Sequence, residues 1–352
     1  MMVHIGLDMH KQFSAVAVLD DAGAVLERCT LHHDDPTKLA EYFGRLGGDG
    51  TVTMEATRGW YWLADPIESE GLTVKLAHPA KVRLIADARI KTDKIDAWVL
   101  AHLERLGFLP ESYIPPQEVR DRRELLRYRL GLVSLTTGLK NRVHALLAKL
   151  GIMSRQTDLF GKSGREFLAG LKLRDVYRRV LDGWLATIDF LACEVKRVTS
   201  ELRAELKEDF RAELLKSTPG VGVLTAYLLL AEIGDIGRFS SAKRLCSYAG
   251  LVPRTYQSGG KNWQGGITRQ GNRYIRYAMV EAAQVATRKD AALDLFYQRL
   301  KREKGAGKAR VAVARKLLVA VYHILKRSEP YRYGHLARIH LGKPAFVPGH
   351  AE

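Results

Sequence analysis

Three short apolar or alternating runs stand near the start of the chain, Val3 to Leu7, Ser14 to Leu19 and Val25 to Leu31, separated by turn-forming Asp and Gly. From Lys38 to Leu46 the apolar period lengthens to that of a helix. Thr51 to Met54 and Leu72 to Leu76 then read as buried strands, and helix follows from about Ala80 through Asp96 to Leu106. Three consecutive strands, then strands alternating with helices, predict an α/β sheet domain. From Glu118 to about Leu215 the pattern is helical almost throughout. Within it Ile188, Leu191, Val195, Val198 and Leu202 recur at spacings of 3, 4, 3 and 4. Such a stripe suits a coiled coil or helical hairpin, and equally an ordinary helix packed within its own domain. A third segment opens with the turn Ser217 to Gly222 and a helix from Val223 to Ile233, followed by Gly234 to Phe239 and another helix near Ala242 to Tyr248. A glycine-rich loop from Gln257 to Gly266 and basic helices to about Lys326 complete it. The expected division is an α/β domain over 1–110, a helical or coiled-coil middle over 111–212, a mainly α domain over 213–335, and a tail over 336–352.

Charge sharpens this outline. The formal net charge is +17, and from Leu251 to Glu352 there are 20 Lys and Arg against 6 Asp and Glu, a net of +14. Only +3 is left for the first 250 residues. A surplus concentrated at one end points to a polyanion, either nucleic acid or an anionic membrane surface. The N-terminus has no basic start followed by an apolar stretch, and runs such as Leu317 to Leu325 are far shorter than the roughly 20 residues that span a bilayer. Cys29, Cys193 and Cys246 are widely separated and match neither a disulfide framework nor a zinc site. These features favour a cytoplasmic protein with nucleic acid, not membrane, as its partner.

Four carboxylates stand where chemistry can use them. Asp8 ends or interrupts the first strand in GLDMHK, and Glu55 follows the apolar run TVTM. Asp93 and Asp96 in KTDKIDA sit at the mouth of a helix, where a spacing of three puts both on one face. Each alone has a plain explanation as a turn or cap residue. A carboxylate at the end of a buried strand needs neutralising, and a cluster of four oxygen donors would suit Mg²⁺ or Mn²⁺. Lys91 and Lys94 flank the pair and could meet phosphates.

The basic segment carries STPGVG, a turn opening a helix, and YQSGGK. Ser258, before Gly259 and Gly260, lies in the expected loop, where small residues would let a DNA backbone approach. Arg254, Lys261, Arg269, Arg273 and Arg276 surround it in sequence. Read by itself it is a loop serine, with no adjacent histidine or acid to activate it.

The pieces GLDMHK, MEAT and KTDKIDA resemble, in order and spacing, the acidic motifs of the DEDD transposases, insertion-sequence recombinases with a RuvC-like, RNase H-type domain. The run from Ser217 to Gly271 is similar to the second domain of the same family. The resemblance implies that Asp8, Glu55, Asp93 and Asp96 form a metal-binding tetrad. It implies that Ser258, rather than Ser240, Ser241 or Ser247, is a nucleophile that joins covalently to DNA, with the acidic domain supplying the metal. Arg58 after MEAT departs from the glycine expected there, which touches only the loop after Glu55. The resemblance further implies donor and target DNA, a structured guide (bridge) RNA, and a homo-oligomer, dimer or tetramer. Two other readings remain at this point: a metal-dependent nuclease or Holliday-junction resolvase without a covalent intermediate, and a non-enzymatic nucleic-acid-binding protein.

Overall fold

A computed structural model describes residues 2–57, 59–85, 92–207, 209–258, 261–268 and 270–332; for Lys94, 255–258 and 261–264 it gives the backbone course only. Arg58, Lys91, Arg269, the pair Gly259 and Gly260, and the tail over 336–352 lie outside the described residues. The chain divides into two compact units, Met1–Pro115 and Pro116–Glu352.

The first unit is built on a mixed six-stranded sheet of β1 (Val3–Met9), β2 (Phe13–Leu19), β3 (Val25–His32), β4 (Gly50–Glu55), β5 (Thr73–Ala77) and β6 (Glu111–Ser112). Their order is β3-β2-β1-β4-β5-β6. The first three strands form an antiparallel meander, β4 and β5 run parallel to β1, and β6 closes the edge antiparallel to β5. Helices α1 (Pro36–Leu46), α2 (Trp60–Ser69), α3 (Pro79–Ile85) and α4 (Asp93–Arg105) complete the unit. This mixed sheet with its helices fits the expected RNase H-like fold.

Period-two alternation makes the two faces of the sheet chemically different. On one face Ile5, Leu7, Val16, Val18, Val52, Met54 and Leu76 pack with Leu39 and Phe43 of α1 and Leu63 and Ile67 of α2. The other face carries small residues. Gly6 stands opposite Ala17 and Asp8 opposite Ala15, and both alanines pack with Ala97 of α4. At Gly6 an added Cβ would lie 1.7 Å from the Ala97 carbonyl oxygen and 2.7 Å from the Ala101 nitrogen. Only glycine lets α4 come this close to the sheet.

The second unit opens with α5 (Gln117–Lys149), α6 (Lys162–Gly170) and α7 (Asp175–Glu205). α5 and α7 lie alongside each other antiparallel, since Arg122 meets Glu205 and Arg129 donates to Thr199, while Val143 shares a core with Leu181 and Ile188. The heptad-like stripe falls on α7, with Ile188, Leu191, Val198 and Leu202 buried. Its two ends serve different cores: Ile188 packs with Val143, Leu147 and Leu168, whereas Leu191, Val198 and Leu202 join the core of the helices that follow.

Those helices are α8 (Phe210–Lys216), α9 (Val223–Ile233), α10 (Ala242–Tyr248), α11 (Arg273–Lys289), α12 (Ala291–Lys304) and α13 (Ala306–Arg327). The apolar run Leu317 to Leu325 belongs to α13, which buries Val313, Leu317, Leu318, Val321 and Ile324 at the centre of this core. No helix among the described residues is long and apolar enough to cross a membrane. The glycine in the turn before α9 has a packing reason. Gly220 adopts φ +82°, and an added Cβ would meet the Ala282 carbonyl oxygen at 2.2 Å.

A buried carboxylate ties these helices together. Glu232, at 0% exposure near the end of α9, accepts from Arg127 Nε at 2.7 Å, from a second guanidinium nitrogen at 2.9 Å, and from Asn272 Nδ2 at 2.6 Å. Asn272 in turn caps α11 by accepting from the Tyr274 and Ile275 amides. Arg123 donates to the Ala231 and Glu232 carbonyls. Removing the carboxylate takes away the acceptor that Arg127 and Asn272 share and the charge 3.8 Å from Arg123 Nε, and breaking a buried ion pair of this kind costs about 3–5 kcal/mol. Glu232→Ala is therefore expected to lower the urea midpoint of this unit sharply, and Glu232→Gln, which keeps acceptor and shape, to lower it less. Equal midpoints for wild type and Glu232→Ala would remove the carboxylate from this role.

One expectation is corrected. Gln257 to Gly266 is not a loop: β7 (Pro253–Ser258) and β8 (Lys261–Ile267) form an antiparallel pair, with Ser258 facing Lys261 across it. Two glycines between extended runs are a sequence signal for a hairpin, not for an irregular loop. The continuous helix expected from about Ala80 is likewise broken at Thr92, which is extended just before α4 begins at Asp93; residues 86–91 lie outside the described residues.

Candidate functional site

The acidic group is assembled by three elements of the first unit. Asp8 is the penultimate residue of β1, on the same face as Gly6 because side chains two apart share a face. Glu55 ends β4, one step beyond the Leu7–Met54 pair, and so neighbours Asp8 on the adjacent parallel strand. Asp93 and Asp96 lie in the first turn of α4, which Thr92 caps by accepting from the Ile95 amide. Carboxylates are favoured there by the positive end of the helix. The close seat of α4 on Gly6 carries this turn to the end of β1.

The tightest grouping is Asp8, His10 and Asp93, whose ligand atoms all lie within 4.8 Å of one another. His10 Nε2 is 3.3 Å from Asp8 Oδ2 and 3.2 Å from Asp93 Oδ2. Asp96 and Glu55 are outside that trio, although Asp96 is close enough for its charge to act on Asp8. The side chain of Asp8 is 19% exposed and that of Asp93 49%. Burial holds the Asp8 carboxyl above the usual carboxylate range. His10 pulls it back down, and the charges of Asp96 and Asp93 push it up again. A divalent cation would relieve both the desolvation and the mutual repulsion.

His10 went unread in the sequence, although its signal was present. It lies two residues after Asp8, so an extended chain turns both side chains the same way. The donor set of carboxylates fits Mg²⁺ or Mn²⁺, and the imidazole adds one nitrogen.

The basic candidates are distributed over the second unit, apart from the lysines beside Asp93. Lys94 is in the first turn of α4. Arg254 is exposed on β7, and Ser258 and Lys261 are paired at the hairpin end of β7 and β8. Arg273 opens α11, donating to the Tyr274 hydroxyl at 2.8 Å with its guanidinium over that ring. Arg276 donates to the Ala249 carbonyl at 2.9 Å, which links α11 to the end of α10. A further basic cluster, Lys301, Arg302, Lys304 and Lys308, is exposed around the turn from α12 to α13. In the sequence it registered only as part of the overall surplus.

Two stretches of the chain match known families. Residues 5–152 match the DEDD family model of the IS110 type, described as "Transposase", and residues 212–298 match the "Transposase IS116/IS110/IS902 family". The transposase for insertion sequence element IS1111A of Coxiella burnetii is 28% identical over 342 residues, covering 94% of this chain and 91% of its own length. The probable family 20 transposase of Pseudomonas aeruginosa is 25% identical over 351 residues, covering 94% and 98%. The pilin gene-inverting protein of Moraxella lacunata is 32% identical over 291 residues, covering 80% and 81%. With both halves matched and a relative this similar over most of its length, the chain belongs to the DEDD, IS110-type family of insertion-sequence transposases.

Proposed function

We propose that this protein is an insertion-sequence DNA recombinase that exchanges strands by metal-assisted attack of Ser258 on a phosphodiester. The convergence of Asp8, Asp93 and Asp96 where β1 meets the first turn of α4, on a sheet of RNase H-like order, carries the reading. Asp8, Glu55, Asp93 and Asp96 would hold Mg²⁺ or Mn²⁺. When bound, that ion supplies Lewis-acid stabilisation of charge on the scissile phosphate.

The chain's own residues account for the rest. The Ser258 oxygen gives up its proton and forms a bond to phosphorus. The bond from phosphorus to one deoxyribose oxygen breaks, and that oxygen takes a proton. Attack by the hydroxyl of a second strand then reverses the link, restores a phosphodiester and frees the serine. Each step exchanges one phosphate ester for another, so no external energy source is required. Lys91, Lys94, Arg254, Lys261, Arg269, Arg273 and Arg276 would hold DNA chiefly through phosphates, which position the duplex without reading its sequence. Selection of donor and target would then rest on pairing with a guide RNA, and the working form would be a homo-oligomer.

The test is strand exchange between two plasmids carrying element ends and target, with the co-purifying RNA retained. Exchange should stop in chelator and return with Mg²⁺ or Mn²⁺. Asp8→Asn, which keeps shape and deletes charge, should remain folded and should not recover with either ion. Exchange that continues in chelator, or at the wild-type rate in Asp8→Asn, would show that these carboxylates do not hold an essential metal.

A further inference from the structure

We propose that the His10 imidazole is an inner ligand of the Asp8–Asp93 centre and gives that centre a preference for Mn²⁺ over Mg²⁺. The proposal rests on the metal reading above and assigns a residue outside the four carboxylates. His10 Nε2 stands 3.3 Å from one Asp8 oxygen and 3.2 Å from one Asp93 oxygen. Neighbouring ligand atoms held about 2.1 Å from an octahedral ion are separated by about 3.0 Å. The two His10 distances are therefore close to that of neighbouring ligands around one ion, and all three ligand atoms lie within 4.8 Å of one another.

Features other than the carboxylates also hold the imidazole in place. The His10 amide donates to the Phe13 carbonyl at 2.9 Å, closing the turn between β1 and β2. Its ring lies 4.8 Å from the Phe13 ring, centroid to centroid. Backbone and side chain are thus both fixed by a short connection that starts one residue after the first strand. An imidazole between two carboxylates can also serve as their counter-ion, an arrangement a bound metal would displace. The two roles differ in one observable: whether nitrogen is bonded to the ion. Nitrogen matters for metal choice because Mg²⁺ is held by carboxylates and water, whereas imidazole favours transition metals.

The experiment uses the full chain and Mn²⁺ alone. Binding is followed by loss of the free-ion electron paramagnetic resonance signal, and ligation by pulsed measurement of ¹⁴N coupling to the bound ion. Wild type should bind Mn²⁺ with ¹⁴N coupling of a directly bonded imidazole. His10→Gln should lose that coupling and weaken Mn²⁺ at least about ten-fold, the lower end for partners one layer further from a metal. Mg²⁺ affinity, measured by competition, should change less. His10→Asp, which returns an oxygen donor, should recover binding without the coupling and guards against a folding defect. Bound Mn²⁺ with no ¹⁴N coupling in wild type, or coupling that persists in His10→Gln, would overturn the His10 assignment and leave the metal reading standing. No Mn²⁺ bound by wild type, or equal binding by Asp8→Asn, would overturn the metal reading itself.

Discussion

Ser258→Ala protein should give no covalent adduct with labelled donor DNA after denaturation, where wild type gives a shifted protein–DNA band. Strand exchange should fall by about 10⁴-fold or more, the scale on which loss of a nucleophile acts in other covalent enzymes. Ser258 is the last residue of β7, paired with Lys261, so its backbone is held in a ladder rather than swinging in a loop. A serine hydroxyl needs activation, and no histidine or acid stands beside it in sequence. If the metal-binding carboxylates share its reaction, serine and carboxylates behave as one catalytic unit. The double variant Ser258→Ala with Asp8→Asn should then be scarcely slower than either single one, because residues acting as a unit are strongly non-additive. Asp8→Asn alone should also lose the band. An adduct that survives in Ser258→Ala would place the nucleophile elsewhere. DNA cleavage by wild type with no adduct at all would instead indicate hydrolysis by a metal nuclease.

Gly6→Ala should be as damaging as a change within the acidic group, although one methyl is all it adds. The new carbon would stand 1.7 Å from the Ala97 carbonyl oxygen, and both of its nearest neighbours are helix backbone that cannot rotate aside. Restoring ordinary contact would need α4 to retreat by about 1.5 Å or more. Overpacking of this kind costs about 3 kcal/mol, at the upper end of its usual range. The retreat also carries Asp93 and Asp96 away from Asp8. A misplacement of about 1 Å can cost 10²-fold in rate, so exchange should fall at least that far in whatever protein remains folded. Urea unfolding and strand exchange, measured together on the full chain, check both expectations. Gly48→Ala is the control: an added carbon there meets nothing nearer than a carbonyl oxygen at 3.8 Å. If Gly6→Ala matches Gly48→Ala in both assays, the close seat of α4 is not what positions the acidic turn.

Much of this architecture was legible where period and punctuation agree. The runs Ser14 to Leu19 and Val25 to Leu31 lie within β2 and β3, and Val223–Ile233 and Ala242–Tyr248 are α9 and α10. Each apolar pattern is followed within three residues by Gly or Asp, at Asp20, Asp34, Gly234 and Gly250. α2 carries Pro66 inside it, against helix propensity, and its burial of Leu63 and Ile67 on the sheet outweighs that cost. β6 has only two residues and exists by pairing with Leu76 and Ala77, a long-range event that no local pattern announces. At the site, the acidic motifs were visible as spacings. Their convergence depends on small residues at Gly6, Ala15, Ala17 and Ala97, each of which looks unremarkable alone. His10 joins the group only where β1 and the first turn of α4 bring Asp8 and Asp93 to either side of its ring nitrogen.

The far end of α4 is moored as firmly as its first turn. Glu104, buried, accepts from Lys75 Nζ at 2.9 Å and lies 2.5 Å from His4 Nδ1, with both partners on the small-residue face of the sheet. Eleven helical steps separate Asp93 from Glu104, a span of about 16 Å. The helix thus acts as a rigid rod that bears the acidic turn at its head and a hydrogen-bonded mooring at its tail. Genetic screens for inactive protein should therefore return His4, Lys75 and Glu104 together with the carboxylates. A map of such losses drawn on the sequence would mark a catalytic region wider than the chemistry. Distinguishing the two classes will require scoring abundance beside activity, since loosening the mooring releases the rod, whereas neutralising a carboxylate leaves it in place.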